Sequence, residues 1–371
     1  VLVDATAAPV DRGGVGRYVD GLIAALDQLG ADLAVVCQRA DADRYGGLAP
    51  GARVIGAPTA VSRRAARLGW EQAVLPMVAQ QVDADVIHSP DYTMPLRPGR
   101  PTVVTIHDVT YFSEPELHTA VRGGVYRSAI RAAIHRATRC VVPSKATRDE
   151  LIRLLAADPA TIDVAHHGVD PTLFHVPSES ERQRVAARLG LHGRPYVAFL
   201  GELSRRKNTP NLIRGWAAAV ADLPEPPVLV LAGSNGWDDD VDVAVHEVPS
   251  HLRVIRPGYL RFTDLPGFLG AALVVAFPSM AEGFGLPVLE AMACGGPVLT
   301  TRRLSLPEVG GDAVAYTEPD AASIAAALEA LLSDAPRRAA LAEAGRARAG
   351  EFTWAASAQA HLASYERAAE S

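Results

Sequence analysis

The chain lacks what a membrane-spanning protein, a disulfide scaffold or a general nucleic-acid binder requires. No apolar run approaches the roughly 20 residues of a membrane-spanning helix. Cysteine is scarce: Cys37, Cys140 and Cys294 are scattered and odd in number. Each sits in an apolar run, which predicts buried free thiols rather than disulfides or a metal site. Positive charge is not in excess. The formal net charge is −6, which argues against general nucleic-acid binding. Low-complexity segments and short-period repeats are missing. No signal peptide is visible, but Val1 already stands in an apparent strand, so that absence carries little weight. The expectation is a cytoplasmic protein in a reducing compartment, at most peripheral at the inner membrane face.

What is present is length and apolar content. At 371 residues and 49% hydrophobic, the chain exceeds one ordinary core and fits two domains. Apolar runs that read as strands occupy 1–6, 32–38, 53–58, 85–90, 101–108, 139–144 and 161–169. After the first, Val15, Tyr18, Val19, Leu22, Leu26 and Leu29 recur with a helical rhythm. A second helix is suggested over 127–137. The polar stretch 171–191 reads as a linker leading into a helix. The pattern then restarts with strands at 195–201, 227–233, 252–258, 273–279, 297–301 and 313–319, and a helix at 321–334. Near-continuous apolar strands alternating with helices predict parallel sheets covered on both faces. The expected architecture is α/β: two doubly wound, Rossmann-like domains, 1–175 and 176–353, facing a cleft. The last segment, about 354–371, is free to pack back on the first. Ligands of such sheets bind beyond the carboxyl ends of the strands.

The most informative stretch is PSMAEGFGLPVLEAMACGGP, 278–297. A glycine-rich loop leaves a strand and opens a helix. Pro287 suits the first helical turn, where its missing N–H costs nothing. The free N–H groups of that turn favour an anionic ligand. Glu282 sits in the loop mouth, and Glu290 lies within a turn or two, placed to accept hydrogen bonds from a polyol such as a ribose. Phosphates in the middle and hydroxyls on either side suit a nucleotide-sugar.

Four more segments place polar groups at strand ends. In DRGGVGRY (11–18), Gly13, Gly14 and Gly16 open the first helix and allow close backbone approach to a phosphate; a plain loop-to-helix turn explains them equally well. This is not a dinucleotide fingerprint, because the later glycine it needs falls on Val19, and an NAD-dependent oxidoreductase is disfavoured. His107 and Asp108 end an apolar strand. Arg205, Arg206 and Lys207 precede Asn208 at another strand's end, where cations suit a departing diphosphate. Ser144 before KATRDEL is explained by helix capping. The Asp run in WDDDVD (237–242) is read as a solvated loop, so no metal is assigned. His166 and His167 lack a second ligand pair for zinc and are read as the hinge-side wall of the cleft. The segment 61–78 combines Arg63, Arg64 and Arg67 with Leu68, Trp70 and Leu75. It fits an ordinary surface helix or a contact with anionic lipid.

In combination these segments resemble the retaining, nucleotide-sugar-dependent glycosyltransferases of the GT-B fold, family 4. The resemblance spans nearly the whole chain. Its strongest element is Glu282 and Glu290 within EGFGLPVLE, supported in order by the glycine loop, HDVTYF, PSKATRDEL, GVD, RRKN, AGS and PEVGGDA. It implies that Arg206 and Lys207, with Arg205 and Asn208 beside them, grip the donor diphosphate. Glu282 and the amides of Gly283, Phe284, Gly285 and Leu286 hold sugar hydroxyls and phosphate. Glu290 binds the ribose, Gly13 and Gly14 approach the phosphate, and Tyr259 and Leu260 flank the base. His107 contacts the transferred sugar and acceptor. The implied catalytic set is His107, Arg206, Lys207 and Glu282, with no cofactor and no metal. The acceptor is a glycan, a lipid-linked sugar or a small molecule. Where many relatives carry Arg after the glycine of the cationic motif, this chain has Glu202, and its HDVTYF and RRKN forms resemble mannosyltransferases that use GDP-mannose. Two alternatives are a nonhydrolysing sugar-nucleotide epimerase and a noncatalytic sugar-nucleotide-binding partner of a transferase.

Overall fold

The computed structural model describes residues 1–9, 12–236 and 238–371, without the side chains of Ala120 and Arg122. Asp11 of the glycine loop and Trp237 of the acidic run lie outside the described residues. The chain divides into two compact units. One comprises Val1–Gly168 with Phe352–Ser371, the other Val169–Glu351. The crossings therefore fall at Gly168 and Glu351 rather than near 175 and 353.

In the first unit, seven parallel strands form one sheet: β1 (Leu2–Asp4), β2 (Ala34–Gln38), β3 (Arg53–Ala57), β4 (Ile87–Ser89), β5 (Thr102–Thr105), β6 (Arg139–Val142) and β7 (Ile162–Val164). Their order is β3-β2-β1-β4-β5-β6-β7. Each lies within an apolar run noted in the sequence, trimmed by one to several residues at its ends. The helix Gly14–Gln28 turns Tyr18, Val19, Leu22, Ile23 and Leu26 inward, the face expected from its spacing. The last helix, Trp354–Ala369, belongs to this unit. Its seat depends on two glycines. A Cβ at Gly21 would stand 2.3 Å from the Trp354 ring, and one at Gly168 would stand 2.2 Å from the Trp354 backbone nitrogen.

The second unit has six parallel strands: β8 (Tyr196–Leu200), β9 (Val228–Ala232), β10 (Val254–Gly258), β11 (Val274–Phe277), β12 (Val298–Thr301) and β13 (Ala315–Thr317), in the order β10-β9-β8-β11-β12-β13. β9 is buried along its whole length, as a run of Val, Leu and Ala between two helix layers must be. The polar stretch 171–191 ends in the helix Glu179–Arg188. Ser178 and Glu181 open it with a reciprocal capping box.

The three cysteines are buried free thiols. Among the described residues, no helix is long and apolar enough to cross a membrane. The basic stretch 61–78 folds as a 3-10 turn, Thr59–Ser62, and two helices, Arg64–Ala73 and Leu75–Gln81. Two of its three arginines are engaged within the unit. Arg67 is buried against Glu71 (3.2 Å), and Arg64 lies over the Tyr126 ring. Leu75 is fully buried. The stretch therefore does not present its three cations and its apolar residues on one open face.

Candidate active site

In each sheet the chain winds outward in both directions from a central pair, β1 and β4 in the first unit and β8 and β11 in the second. The loops leaving such a pair diverge and open a crevice at the strands' carboxyl ends. In the second unit, β8 leads to the 3-10 turn Arg205–Lys207, while β11 leads to the loop 278–285. Asn208 has a left-handed backbone (φ 58°) that turns the chain into the helix Thr209–Val220. Its Nδ2 donates to the carbonyls of Pro278 (3.1 Å) and Pro319 (2.7 Å), and Met280 N donates to the Arg206 carbonyl (2.8 Å). The two loops are thereby stitched together. Gly285, at φ 107°, opens the helix Leu286–Ala293 with a proline in its first turn. Ser305 Oγ lies 2.8 and 2.9 Å from the carbonyl oxygens of Glu282 and Phe284, fixing the loop from a third element.

Three charges meet where these loops converge. Glu282 Oε1 accepts from Lys207 Nζ at 2.6 Å, and Arg206 Nη1 stands 2.7 Å from Glu282 Oε2. Ser279 Oγ donates to Glu282 Oε1 at 2.5 Å. Lys207 and Glu282 are both buried. Burial pushes the Glu282 carboxyl up, but Arg206 and Lys207 outweigh it and hold the group at about 2. Burial, with Arg206 adding to it, lowers Lys207 to about 8 against the pull of Glu282. The ammonium also lies 4.5 Å from the centre of the Phe277 ring. Such a cluster carries a net positive charge in a dry setting and suits a polyanion.

The other residues expected in this unit are placed as follows. Arg205 is half-exposed, 4.0 Å from Asp238. Gly283, Phe284, Gly285 and Leu286 are buried in the loop and first turn, and Glu290 is buried in the second turn of the same helix. Tyr259 and Leu260 follow β10, with Tyr259 exposed. In the acidic run, Asp242 pairs with Arg256 at 2.5 Å and Asp238 accepts from the Asp240 amide, so these carboxylates are occupied by the chain itself.

In the first unit, Gly13 caps the helix that Gly14 begins, and Gly14 is exposed. Arg12, just before them, is buried against Asp20 and Asp41 and anchors the loop. His107 follows β5. Its Nε2 lies 2.8 Å from the Pro90 carbonyl, which only accepts, so Nε2 carries the proton. Burial lowers its pKa, against Asp91 and Asp108. The ring is therefore neutral near pH 7, with its lone pair on Nδ1. Tyr18, Tyr92 and His167 pack around it at 5.1, 5.5 and 5.9 Å between ring centres. Asp108 does not orient His107. It accepts from the amide and hydroxyl of Thr110, two residues on.

Behind His107 runs a hydrogen-bond chain that sequence reasoning did not foresee. His361 Nδ1 donates to the Ser357 carbonyl (2.7 Å), so its Nε2 accepts from the Tyr18 hydroxyl (2.8 Å). Tyr18 then accepts from Thr105 (2.7 Å), and Thr105 accepts from His88 Nε2 (2.9 Å). His88 Nδ1 accepts from the Tyr365 hydroxyl (2.8 Å). Every donor has one acceptor, provided both histidines are neutral. Burial keeps them so, lowering His361 to about 4 and His88 well below its usual range. The chain starts and ends on the C-terminal helix. His167, read from the sequence as cleft wall, is buried beside Tyr18 and Trp354. Ser279, three residues before Glu282, and Ser305, before LPEVGG, were also missed. A hydroxyl at fixed spacing from the acidic loop residue was the available signal for Ser279.

Residues 181–348 match the family model described as glycosyl transferases group 1, and residues 12–173 match that of glycosyltransferase family 4. O-antigen chain mannosyltransferase B of Escherichia coli is 33% identical over 272 residues, covering 72% of this chain and 71% of that protein. Alpha-maltose-1-phosphate synthase of Mycolicibacterium smegmatis is 30% identical over 389 residues, covering 97% and 96%. Among solved structures, sucrose-phosphate synthase from Thermosynechococcus elongatus superposes with a TM-score of 0.78 at 22% identity over 98% of each chain. HepE of Anabaena, in complex with UDP and glucose, gives 0.76 at 21% over 98% and 97%. At those identities the structures speak for the fold, and the family models and sequence relatives for the chemistry. The chain thus belongs to the family 4 glycosyltransferases, nucleotide-sugar-dependent transferases with the GT-B fold.

Proposed function

We propose that this enzyme transfers a hexose, mannose from GDP-mannose, to an acceptor hydroxyl of a glycan, glycolipid or small molecule, with retention at the anomeric carbon. The observation that carries the reading is the convergence of Arg206, Lys207 and Glu282 above the β8 and β11 ends. Arg206 and Lys207 receive the donor diphosphate, with the helix Leu286–Ala293 directed at it by Gly285. The C1–O bond to the diphosphate breaks, and its electron pair goes to the phosphate oxygen. The two cations stabilise the growing charge, and this reading calls on no metal. The acceptor oxygen bonds to C1 from the same face, and its proton passes to the departing phosphate oxygen. Glu282 holds sugar hydroxyls, Glu290 the ribose, and His107 presents Nδ1 as acceptor to a hydroxyl.

Mannose is supported by the HDVTYF and RRKN forms and by the name of the Escherichia coli relative. Calorimetry with GDP-mannose and UDP-glucose, followed by a donor-loaded acceptor screen read by mass spectrometry, tests the reading. A UDP-sugar response without a GDP-sugar response removes mannose and leaves the transferase. No response to any nucleotide-sugar removes both.

A further inference from the structure

The cations assigned to the diphosphate already hold an anion. Both oxygens of Glu282 are taken, one by Lys207 and Ser279, the other by Arg206. Arg206 also donates to the Ala281 carbonyl at 2.7 Å, so its guanidinium is drawn toward the loop that carries Glu282. The carboxylate is buried and stays ionised throughout the working pH range. A phosphate oxygen that approaches Arg206 and Lys207 meets a carboxylate on the same donors.

We propose that Glu282 is an internal competitor for the phosphate site, and that it makes the enzyme discriminate between the intact nucleotide-sugar and the spent nucleoside diphosphate. The inference rests on the donor-site reading above. An intact donor brings sugar hydroxyls, which give Glu282 new hydrogen bonds as it yields the cations. A nucleoside diphosphate lacks the transferred sugar, and its ribose hydroxyls go to Glu290. Glu282 must then stay buried with neither cation as a partner, a heavily penalised state for a carboxylate, or return to the cations and push the phosphate out. Product release is built into the same triad that binds substrate. A purely structural role makes the opposite prediction. If Glu282 only braces Arg206 and Lys207, loosening it disorders both cations and weakens diphosphate binding.

The test compares dissociation constants of GDP and GDP-mannose, and of UDP and UDP-glucose, for the full chain by calorimetry. Glu282→Gln is expected to bind the free diphosphate about tenfold tighter and the nucleotide-sugar no tighter, so their ratio shifts by at least tenfold. Glu282→Asp keeps the charge but withdraws it by one methylene. The same ratio shift in that variant separates competition at the cations from a general change of field. Ser279→Ala removes one hold on Glu282 and is expected to tighten the diphosphate two- to threefold. It decides the matter if the Glu282 variants do not fold. Equal or weaker diphosphate binding, or equal tightening of diphosphate and nucleotide-sugar, overturns the proposal while transfer by the wild type stands. Wild-type protein that neither binds nor turns over any of these compounds overturns the donor-site reading itself.

Discussion

Near the carboxyl ends of its strands each unit builds a polar cluster of a different kind. The first unit's is a chain of neutral rings and hydroxyls, apart from the ion pairs that Arg12 and Arg67 make elsewhere in it. His88, Thr105, Tyr18 and His361 pass hydrogen bonds in one direction, and His107 rests against Tyr18. The second buries full charges, Arg206 and Lys207 around Glu282. A neutral chain fixes geometry without a net field, which suits holding and orienting hydroxyls. A charged triad makes a field, which suits an anion whose charge grows during the reaction. Salt and anions should therefore act on the second unit and acid on the first. Lys207→Ala should produce the largest effect on chemistry: transfer falls about 100- to 1,000-fold, the range seen when one donor to a developing anion is lost. Circular dichroism checks that the fold survives. Near-normal transfer would mean the second unit's charges are merely structural, and the contrast between the units would vanish.

Acid should separate the units next. His361 has a usual pKa near 6.5 and about 4 when folded. Between those values the unfolded chain binds a proton that the folded chain refuses. Stability from this group is thus intact above pH 6.5 and is lost as pH falls toward 4, by about 3 kcal/mol in all. His88 acts in the same direction. Glu282, held at about 2, contributes stability that is fully present above its usual value of 4.5 and is lost only toward 2. Calorimetric melts between pH 6.5 and 4.5 should show the first unit weakening while the second does not, because the buried His361, His88 and His167 together outweigh Glu71, whose carboxyl, raised to about 7, works the other way. Parallel loss in both would contradict the neutral-chain geometry. Tyr18→Phe sharpens the same point at neutral pH. It leaves His361 Nε2 and the Thr105 hydroxyl without their partner and should cost about 1–3 kcal/mol, read from denaturant melts. The alkaline side belongs to the second unit. Lys207 titrates near 8, so transfer should decline above that pH, and Lys207→Arg should flatten the decline.

Much of this arrangement was legible in the chain because burial on both faces writes itself into apolar runs. All thirteen runs contain a strand, and DLAVVCQ and PYVAFLG missed the observed bounds by one or two residues. TIDVAHHGV shrank to Ile162–Val164, because its histidines leave the sheet to pack among rings. Gly285 and Pro287 announced the helix at Leu286, since each has a local backbone reason to stand there. Pairings between distant segments were not legible. Lys207 and Glu282 are 75 residues apart, Tyr18 and His361 343 apart. Their meeting depends on strand order and on where the last helix docks, and periodicity carries neither. Arg67 shows the same limit in reverse. Its spacing beside Arg63 and Arg64 suggested an outward basic face, yet a buried Glu71 one helical turn on draws it inward.

The smallest expected effect on stability distinguishes a glycine kept for the fold from one kept for a ligand. At Gly168 an added Cβ meets Trp354 backbone at 2.2 Å, which no rotamer change relieves, so Gly168→Ala should destabilise by about 1–3 kcal/mol through strain. At Gly13 the backbone is at φ −55°, accessible to any residue, and an added Cβ meets nothing within 4 Å. Gly13→Ala should therefore cost no more than about 1 kcal/mol, the preference for glycine over alanine at a helix N-cap. The chain's own packing gives no reason for glycine there. If Gly13 is kept for close approach of a donor phosphate, the alanine variant should bind nucleotide-sugar at least several-fold more weakly with little change in melting temperature. Unchanged binding as well as unchanged stability would remove phosphate approach as the reason for glycine at this position.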